Sequence, residues 1–386
     1  MKNLFLTFLM LAGFSLFADD LYVNSSGLEG TYYTIQAAVD AAEDGDNIYI
    51  ATVGTYSEDV TVDKTLFLVA AVPDEYFTLS GDILISNSVP EIEVSIIGLN
   101  NGSVKSVGSS TSSEIVVNVI SSFVSEISGG LGFEFNVYDT AVYNDFVISN
   151  GSVKGSIVDL LDVTGDYSSV PTDTVQIMGS RLGAINWVND EHYFEICNNY
   201  MTGSTESSDS KVDIANFKNT SGGTNMIANN TIIVPSATNI GIFFDNDSDG
   251  QNLVIVNNYI SINYYDYMIY SDLSLENAFV ANNFTTGAYT PVGFSNSSLV
   301  DNAYQYSLSS DDESGEISDG VDLGLDWTEY RDIDNTVNDI GTGGGPHAWS
   351  NYNPTQGKAA IVDLELPFQL YIGGIHNVKA KSIHKN

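Results

Sequence analysis

A doubled asparagine inside short apolar runs recurs along this chain and restricts what it can fold into. Successive copies are 31, 28 and 25 residues apart, counted between the first asparagines of the four clearest copies. Looser copies centre on Asn101, Asn150 and Gly179. An irregular repeat of roughly 20 to 30 residues with short β-rich runs is typical of a solenoid of stacked coils. The clearest copies are FEICNNYM (194–201), MIANNTIIV (226–234), LVIVNNYI (253–260) and AFVANNFT (278–285).

Strand alternation assigns each position of the repeat to one of two faces. It places Ile196, Ile227, Ile255 and Val280 inward. The first asparagine has the same parity, so we predict that it forms a ladder of amides between coils stacked about 4.8 Å apart. The second asparagine is predicted at the bend, because asparagine tolerates the left-handed conformation. The predicted ladder comprises Asn150, Asn198, Asn229, Asn257 and Asn282.

The outward positions of the same repeats are unusually apolar. Met226, Val254 and Phe279 have this parity. Strands that are apolar on both faces are normally covered. We therefore expect a cover over this face, and the alternatives are the apolar tail Ala359–Ile372, a partner protein or a second subunit.

A helical pattern appears near the N-terminus. Thr34 suits an N-cap, apolar residues follow at helical spacing from Ile35 to Ala42, and Gly45 is a predicted stop. A short helix here would cover the open end of the solenoid core, which otherwise exposes strand edges.

The start, repeats and end of the chain resemble one family. Three stretches carry the resemblance: YTIQAAVDAAEDGDNIYIA (33–51), the Asn-Asn repeats and DIDNTVNDIGTGGGPHAW (332–349). They are similar to secreted proteins of the right-handed parallel β-helix, pectin-lyase-like superfamily. The stretch from residue 359, AAIVDLELPFQLYIGG, resembles the tail of such proteins in Bacteroidetes-like bacteria. The resemblance implies an all-β, single-stranded right-handed parallel β-helix with an N-terminal capping helix and a short C-terminal β extension. The implied boundaries are a signal peptide at 1–18, the β-helix at 19–345 and the extension at 346–386.

The first residues have the composition of a secretory signal. Lys2 supplies the positive charge, an apolar run spans Leu4–Phe17, and Ala18 suits the cleavage position. No other stretch of the sequence is long and apolar enough to span a bilayer. We expect a secreted protein, either extracellular or at the cell surface.

The charge balance restricts the partners. The chain has 50 acidic and 12 basic residues, a net charge of −38. Nucleic acid is excluded, because phosphate binding needs clustered Lys and Arg. Acidic polysaccharides would be repelled unless cations bridge them. Extracellular polysaccharide or a surface glycan is the expected partner, and the oligomeric state is left open.

The catalytic motifs of the resembling family are missing. The blocks typical of polygalacturonase-like, pectin-methylesterase-like and pectate-lyase-like members do not occur. The remaining candidates lie in RLGAINWVNDEHYFE, residues 181–195, where a carboxylate pair could cleave a glycosidic bond. A polar loop between coils is the alternative. The candidate residues are Arg181, Asp190, Glu191 and His192.

DNDSDG, residues 245–250, matches the start of a calcium loop. Asp245, Asp247 and Asp249 occupy positions 1, 3 and 5, and Gly250 follows for the turn. Position 12 is Val256 rather than glutamate, so an EF-hand is excluded. Calcium is thus the one expected cofactor, with a plain acidic turn as the alternative.

Aromatic residues offer a way to bind sugar. INYYDYMIY, residues 262–270, is the densest aromatic cluster. Rings with polar tips suit carbohydrate, although strand aromatics also pack against neighbouring coils. The predicted sugar-binding residues are Trp187, Tyr264, Tyr265 and Tyr267.

Two functions follow from these observations. The sequence favours a non-catalytic secreted or cell-surface protein that acts in adhesion or carbohydrate binding, because catalytic motifs are missing and arginine is scarce. The alternative is a polysaccharide-active enzyme, a lyase or glycoside hydrolase, with an atypical site.

Overall fold

A computed structural model gives the architecture. It describes residues 18–89, 91–108, 115–165, 174–189, 192–202, 210–218, 223–234, 240–245, 252–262, 267–285, 291–295, 298–300, 303–304, 339–342, 344, 358–365 and 379–385.

The protein is a parallel β-helix built from two long parallel sheets. A repeat of about 25 residues predicts 11 or 12 coils between the first strands and the closing motif. In the described part of the chain, the first sheet has 13 strands, one from each coil. The count differs because some coils are as short as 16 residues. The 13 strands are β1 (Asp20–Val23), β2 (Asp46–Ile50), β5 (Leu66–Ala70), β8 (Ile92–Ile97), β11 (Ile115–Ile120), β14 (Phe133–Tyr138), β17 (Asn150–Lys154), β19 (Thr174–Met178), β21 (Tyr193–Cys197), β24 (Asn225–Ala228), β27 (Leu253–Val256), β30 (Phe279–Ala281) and β33 (Ser298–Val300).

The 21-stranded sheet consists of two tracks of short strands. The eight-residue strands β18 (Ile157–Thr164) and β20 (Arg181–Val188) join them, since each pairs with strands of both tracks. The first track also contains β3 (Thr55–Tyr56), β6 (Phe77–Leu79), β9 (Leu99–Asn100), β12 (Phe123–Val124), β15 (Ala141–Val142), β22 (Tyr200–Met201), β25 (Thr231–Val234), β28 (Tyr259–Ile262), β31 (Phe284–Thr285) and β34 (Ala303–Tyr304). The second track also contains β4 (Val60–Val62), β7 (Asp82–Ser86), β10 (Ser103–Val107), β13 (Ile127–Ser128), β16 (Phe146–Ile148), β23 (Ser210–Asn216), β26 (Ile240–Phe244), β29 (Ile269–Glu276) and β32 (Val292–Ser295).

A sharp bend follows the strand of the 13-stranded sheet in nine successive coils. One residue of each bend has a positive φ, between 46° and 76°, and these residues stack in register. Glycine and asparagine adopt this left-handed conformation at low cost. The bend column comprises Gly98, Ser121, Asp139, Gly155, Gly179, Asn198, Asn229, Asn257 and Asn282.

The residue after each bend forms a continuous polar ladder. Eight backbone N–H groups each donate to the side-chain oxygen of the equivalent residue in the next coil, at 2.9 to 3.3 Å. In the last coils the amides also bond to one another, as Asn230 Nδ2 does to Asn258 Oδ1 at 2.9 Å. The ladder begins at the N–H of Leu99 and continues through Ser122, Thr140, Ser156, Ser180, Asn199, Asn230, Asn258 and Asn283.

The two asparagines of the repeat therefore have the reverse of their predicted roles. Asn198, Asn229, Asn257 and Asn282 were predicted in the ladder but occupy the bends, because the backbone turns at the first asparagine. Strand parity ends at that turn, so the second asparagine points inward and is buried. Asn150 belongs to neither column. It begins β17, and its buried Oδ1 has no hydrogen-bond partner.

The inward prediction for the strands is confirmed. Ile196, Ile227, Ile255 and Val280 are buried in the main core. A row of edge-to-face aromatic rings continues through this core, with centroids 5.2 to 6.2 Å apart. The row consists of Trp187, Phe194, Phe217 and Phe244.

The helix α1 (Ile35–Ala41) covers the N-terminal end of this core. Thr34 accepts a hydrogen bond from the N–H of Ala37, as an N-cap does, and the helix packs against β1, β2 and β4. Both carboxylate oxygens of Glu58 accept from the first helical N–H groups, at 2.8 and 3.0 Å. The helix stops before the predicted Gly45, because the backbone of Ala42 is already extended.

A C-terminal stretch returns to the bends of the later coils. This closing segment consists of residues 339–342 and 344. Asn229 Nδ2 donates to the carbonyl of Asp339 at 2.7 Å, and Asn198 Nδ2 donates to the carbonyl of Gly344. Ile340 packs with Tyr259 and Phe284. The left-handed asparagines thus also anchor a distant part of the chain.

The apolar outer face of the repeats lies beside this contact. Met226 is buried, and Val254 and Phe279 are half-buried in a cluster with Cys197. The tail predicted as a cover begins in β35 (Lys358–Glu365), which pairs antiparallel with β36 (Lys379–Lys385). Three covers were predicted for this face: the tail, a partner protein or a second subunit. All three stay predictions. No helix in the described ranges is long and apolar enough to cross a membrane.

The ladder predicts unequal effects at two adjacent asparagines. Asn230→Ala should lower the free energy of unfolding by about 2 to 4 kcal/mol, because two donors of Asn199 and the carbonyl of Ile196 lose their partner inside the core. Asn229→Gly keeps the left-handed bend and loses the bond to the carbonyl of Asp339, so it should cost about 1 kcal/mol. Denaturant unfolding of both variants measures the difference. Equal destabilisation would contradict the assignment of roles.

Candidate functional site

The outer face of the second track carries a continuous row of polar and aromatic side chains. Asp162 pairs with Asn186, which pairs with Asp213, and the row continues to Phe243 and Tyr270. We call these five residues the outward lane. Each is half-buried, and its neighbours in its own strand are buried and apolar, except for the buried Ser271 after Tyr270. The core therefore fixes the direction of each lane residue.

The polar end of the outward lane is held by hydrogen bonds. Asn186 Nδ2 donates to Asp162 Oδ1 at 3.0 Å, and Ser210 Oγ donates to Asp213 Oδ2 at 3.0 Å. Carboxylates can accept further hydrogen bonds, because each has about four lone-pair sites. This end of the lane therefore offers acceptors to a ligand that is rich in O–H donors.

The aromatic end is a stack of three rings. The ring centroids of Phe243 and Tyr270 are 5.9 Å apart, with an interplanar angle of 11°. The ring centroids of Tyr267 and Tyr270 are 4.5 Å apart, with an angle of 18°. Tyr267 is 40% exposed, so one end of the stack faces solvent. An exposed ring with a hydroxyl tip can bind a partner that has both apolar and polar groups.

The structure separates the four predicted sugar-binding residues. Tyr267 lies in the stack described above, whereas Tyr264 and Tyr265 lie outside the described residues. Trp187 was predicted to stack on sugar, and this is wrong. Its side chain is fully buried, and its Nε1 donates to the carbonyl of Asn189 at 2.7 Å. Trp187 alternates with the outward Asn186, and the core needs a large apolar residue at this position.

The predicted catalytic cluster is not brought together among the described residues. Arg181 begins β20 and is exposed, whereas His192 is buried just before β21 on the other sheet. The backbone N–H of His192 donates to Asn189 Oδ1 at 3.1 Å. Asp190 and Glu191 lie outside the described residues.

Of the three residues predicted to bind calcium, one lies among the described residues. Asp245 is exposed after β26, and its N–H donates to the carbonyl of Ile214 at 3.0 Å. Asp247 and Asp249 lie outside the described residues. Within the described part of the chain, no group of three or more His, Cys, Asp or Glu side chains could hold a metal ion. Calcium binding stays a prediction.

Lys211 lies in β23, two residues before Asp213 of the outward lane. Its side chain is buried, and its ammonium donates to the carbonyl of Gly183 at 3.0 Å. Burial lowers the pKa of Lys211, and the nearby Asp159 carboxylate opposes that shift. The ammonium of Lys211 is therefore not presented to solvent.

Sequence reasoning missed the outward lane because its residues do not follow one pattern. The triplets around four of the lane positions share only an inward apolar residue on each side. They are LDV (161–163), INW (185–187), VDI (212–214) and IFF (242–244). Alignment of these triplets requires the strand register, since the loops between them differ in length. Once the register is known, they form a single row.

In comparisons with known proteins, no protein-family model, no curated protein and no solved structure matches this chain. The likeness to the pectin-lyase-like superfamily and to Bacteroidetes-like proteins therefore stays a resemblance. The parallel β-helix itself is supported by the structure.

The single cysteine should not react in the folded protein. Cys197 is buried among Met178, Met226 and Ala228, and burial raises the pKa of its thiol, with a further increase from Glu195. The thiolate is the reactive form. At pH 8, native protein should react with a thiol reagent at least a hundredfold more slowly than urea-unfolded protein. Equal rates in a spectrophotometric thiol assay would show that this face opens.

Proposed function

We propose that the protein is a secreted or cell-surface binding protein that holds a neutral polysaccharide on the outward lane without converting it. The observation that carries the proposal is the stack of Phe243, Tyr270 and Tyr267, which continues a row of carboxylate and amide groups. Aromatic rings suit the C–H faces of sugars, and carboxylates suit their hydroxyl groups.

The charge of the chain supports a neutral ligand. With a net charge of −38, the protein repels anionic chains at moderate ionic strength. Asp162 and Asp213 would place two carboxylates directly beside an acidic sugar. A neutral glycan has no such penalty.

The shape of the lane supports a polymer. Its five residues lie on five successive strands, which span about 19 Å along the axis at the inter-strand spacing. A ligand that lies along the axis can contact the whole lane, whereas a single sugar covers only about one strand spacing of it.

A glycoside hydrolase is the second candidate, and one observation favours it. The backbones of Asp162 and Asp213 are two strand spacings apart, about 9.6 Å. Inverting glycosidases hold their two carboxyl groups about 6.5 to 9.5 Å apart with a water molecule between them. Here the side chain of Asn186, on the strand between the two, donates to Asp162, so an amide rather than an open space separates the carboxylates. Binding without turnover is therefore favoured.

The two candidates differ in product formation. The binding account predicts that neutral polysaccharides release no reducing ends after prolonged incubation with the protein. Product release that disappears in Asp213→Asn would establish the glycosidase instead.

Removal of the exposed rings tests the binding site. Tyr267→Ala and Tyr270→Ala should each weaken binding to a neutral polysaccharide about tenfold. Tyr267 is the solvent-facing ring of the stack, and Tyr270 is the central ring that joins it to Phe243. Affinity electrophoresis against a β-glucan, a xylan and a mannan measures this.

The matched control is Tyr22→Ala, which breaks an exposed tyrosine stack with Tyr49 at the other end of the rod. It should bind like the unchanged protein. If all three variants are retarded as strongly as the unchanged protein, the outward lane is not the binding site.

A further inference from the structure

A second group of exposed rings lies on the first track, away from the outward lane. Tyr76, Phe123 and Tyr143 come from three different coils and are 36%, 36% and 63% exposed. The rings of Tyr76 and Phe123 meet edge to face, with centroids 4.9 Å apart. The ring of Tyr143 lies nearly parallel to that of Phe123, with centroids 6.5 Å apart and an interplanar angle of 13°. Large apolar side chains that stay together in water at such exposure mark an interaction surface.

The ladder fixes the position of the central ring. Phe123 directly follows the ladder residue Ser122 and begins β12, so it occupies the second position after the bend. Its neighbours at this position are Asn100 in the previous coil and Ala141 in the next. The N–H of Tyr143 donates to the carbonyl of Val124 at 3.1 Å, which holds the backbone of the parallel ring.

The same position is covered in the later coils. Thr231, Tyr259 and Phe284 are the equivalents of Phe123, and all three are buried. The closing segment covers them, through Ile340 on Tyr259 and Phe284 and through Thr342, whose N–H donates to Thr231 at 3.1 Å. One end of this column is therefore occupied by the closing segment, and the other end presents rings to solvent.

Carboxylates beside the rings indicate which ligand chemistry suits this surface. Asp139 is held at the neighbouring bend by Ser121 Oγ at 3.2 Å. Burial raises the pKa of Tyr76, and the negative charges of Asp139 and Asp74 raise it further. Rings flanked by acceptors suit a ligand with C–H faces and many O–H donors. An acidic ligand or nucleic acid would be repelled here.

We propose that Tyr76, Phe123 and Tyr143 form a second platform for a neutral polysaccharide, which lies along the column that the closing segment occupies further on. This inference shares its ligand class with the proposed function and rests on it to that extent. Phe123 and Phe243 are five coils apart, about 24 Å along the axis. A polymer long enough to reach both sites gains affinity from the second contact.

Paired variants test the platform. Phe123→Ala and Tyr143→Ala should each weaken binding of the neutral polysaccharide about tenfold, and Phe123→Tyr should retain it because the ring remains. Isothermal titration with a β-glucan, a xylan and a mannan measures affinity, and thermal unfolding of each variant identifies a loss of folding. Binding that is unchanged in both folded alanine variants would overturn the platform.

The outcomes separate the two sites. If Tyr267→Ala weakens binding and the folded platform variants do not, the platform is wrong and the outward lane stands. If the platform variants weaken binding and Tyr267→Ala does not, the outward lane is wrong and the platform stands. If the unchanged protein binds none of the three glycans, both proposals are overturned. If the protein binds no glycan but associates with itself, and Phe123→Ala abolishes that association, a second copy of the chain is the occupant.

Discussion

The ladder that follows the bends is the interaction on which the rest of the structure depends. A solenoid coil must turn sharply, and each turn brings backbone N–H groups into the core, where an unsatisfied donor costs about 1 to 3 kcal/mol. The side-chain oxygen of the next coil accepts each of these N–H groups, from Leu99 to Asn258. Because the partner is always in the neighbouring coil, the same bonds that satisfy the turn also set the register between coils.

The surfaces follow from this register. The residue after each ladder position faces outward, and it is Phe123 in an early coil and Tyr259 in a late one. The closing segment takes up the late positions and bonds to the left-handed Asn198 and Asn229. On the second track, the same stacking aligns Asp162, Asn186 and Asp213 in one row. The binding surfaces proposed for this protein are thus consequences of a regular scaffold with irregular side chains.

Part of this architecture could be predicted from the sequence. The inward strand residues, the capping helix and the solenoid itself follow from alternation and from the repeat. The roles of the two asparagines could not be predicted, because the alternation of a strand no longer holds at the first asparagine, which already belongs to the turn. The early half of the ladder was also missed. Serine and threonine replace asparagine at Ser122, Thr140, Ser156 and Ser180, and the oxygen atom rather than the amide is what the ladder requires.

The candidate site was less predictable than the fold. Aromatic density selected Tyr267, which lies in the exposed ring stack, but it also selected Trp187, which belongs to the core. The outward lane and the Tyr76, Phe123 and Tyr143 platform join residues from separate coils. Coil length varies from 16 to 31 residues, so neighbours on the surface have no fixed distance in the sequence.

Hydrogen exchange of the ladder amides tests the central claim most directly. If the ladder sets the register of the coils, the N–H groups of Asn199 and Asn230, though they lie in turns, should exchange as slowly as those of the core residues Ile196 and Ile227. Exchange at the rate of exposed turn amides would show that these bonds do not persist, and the account of the fold given by the ladder would be wrong.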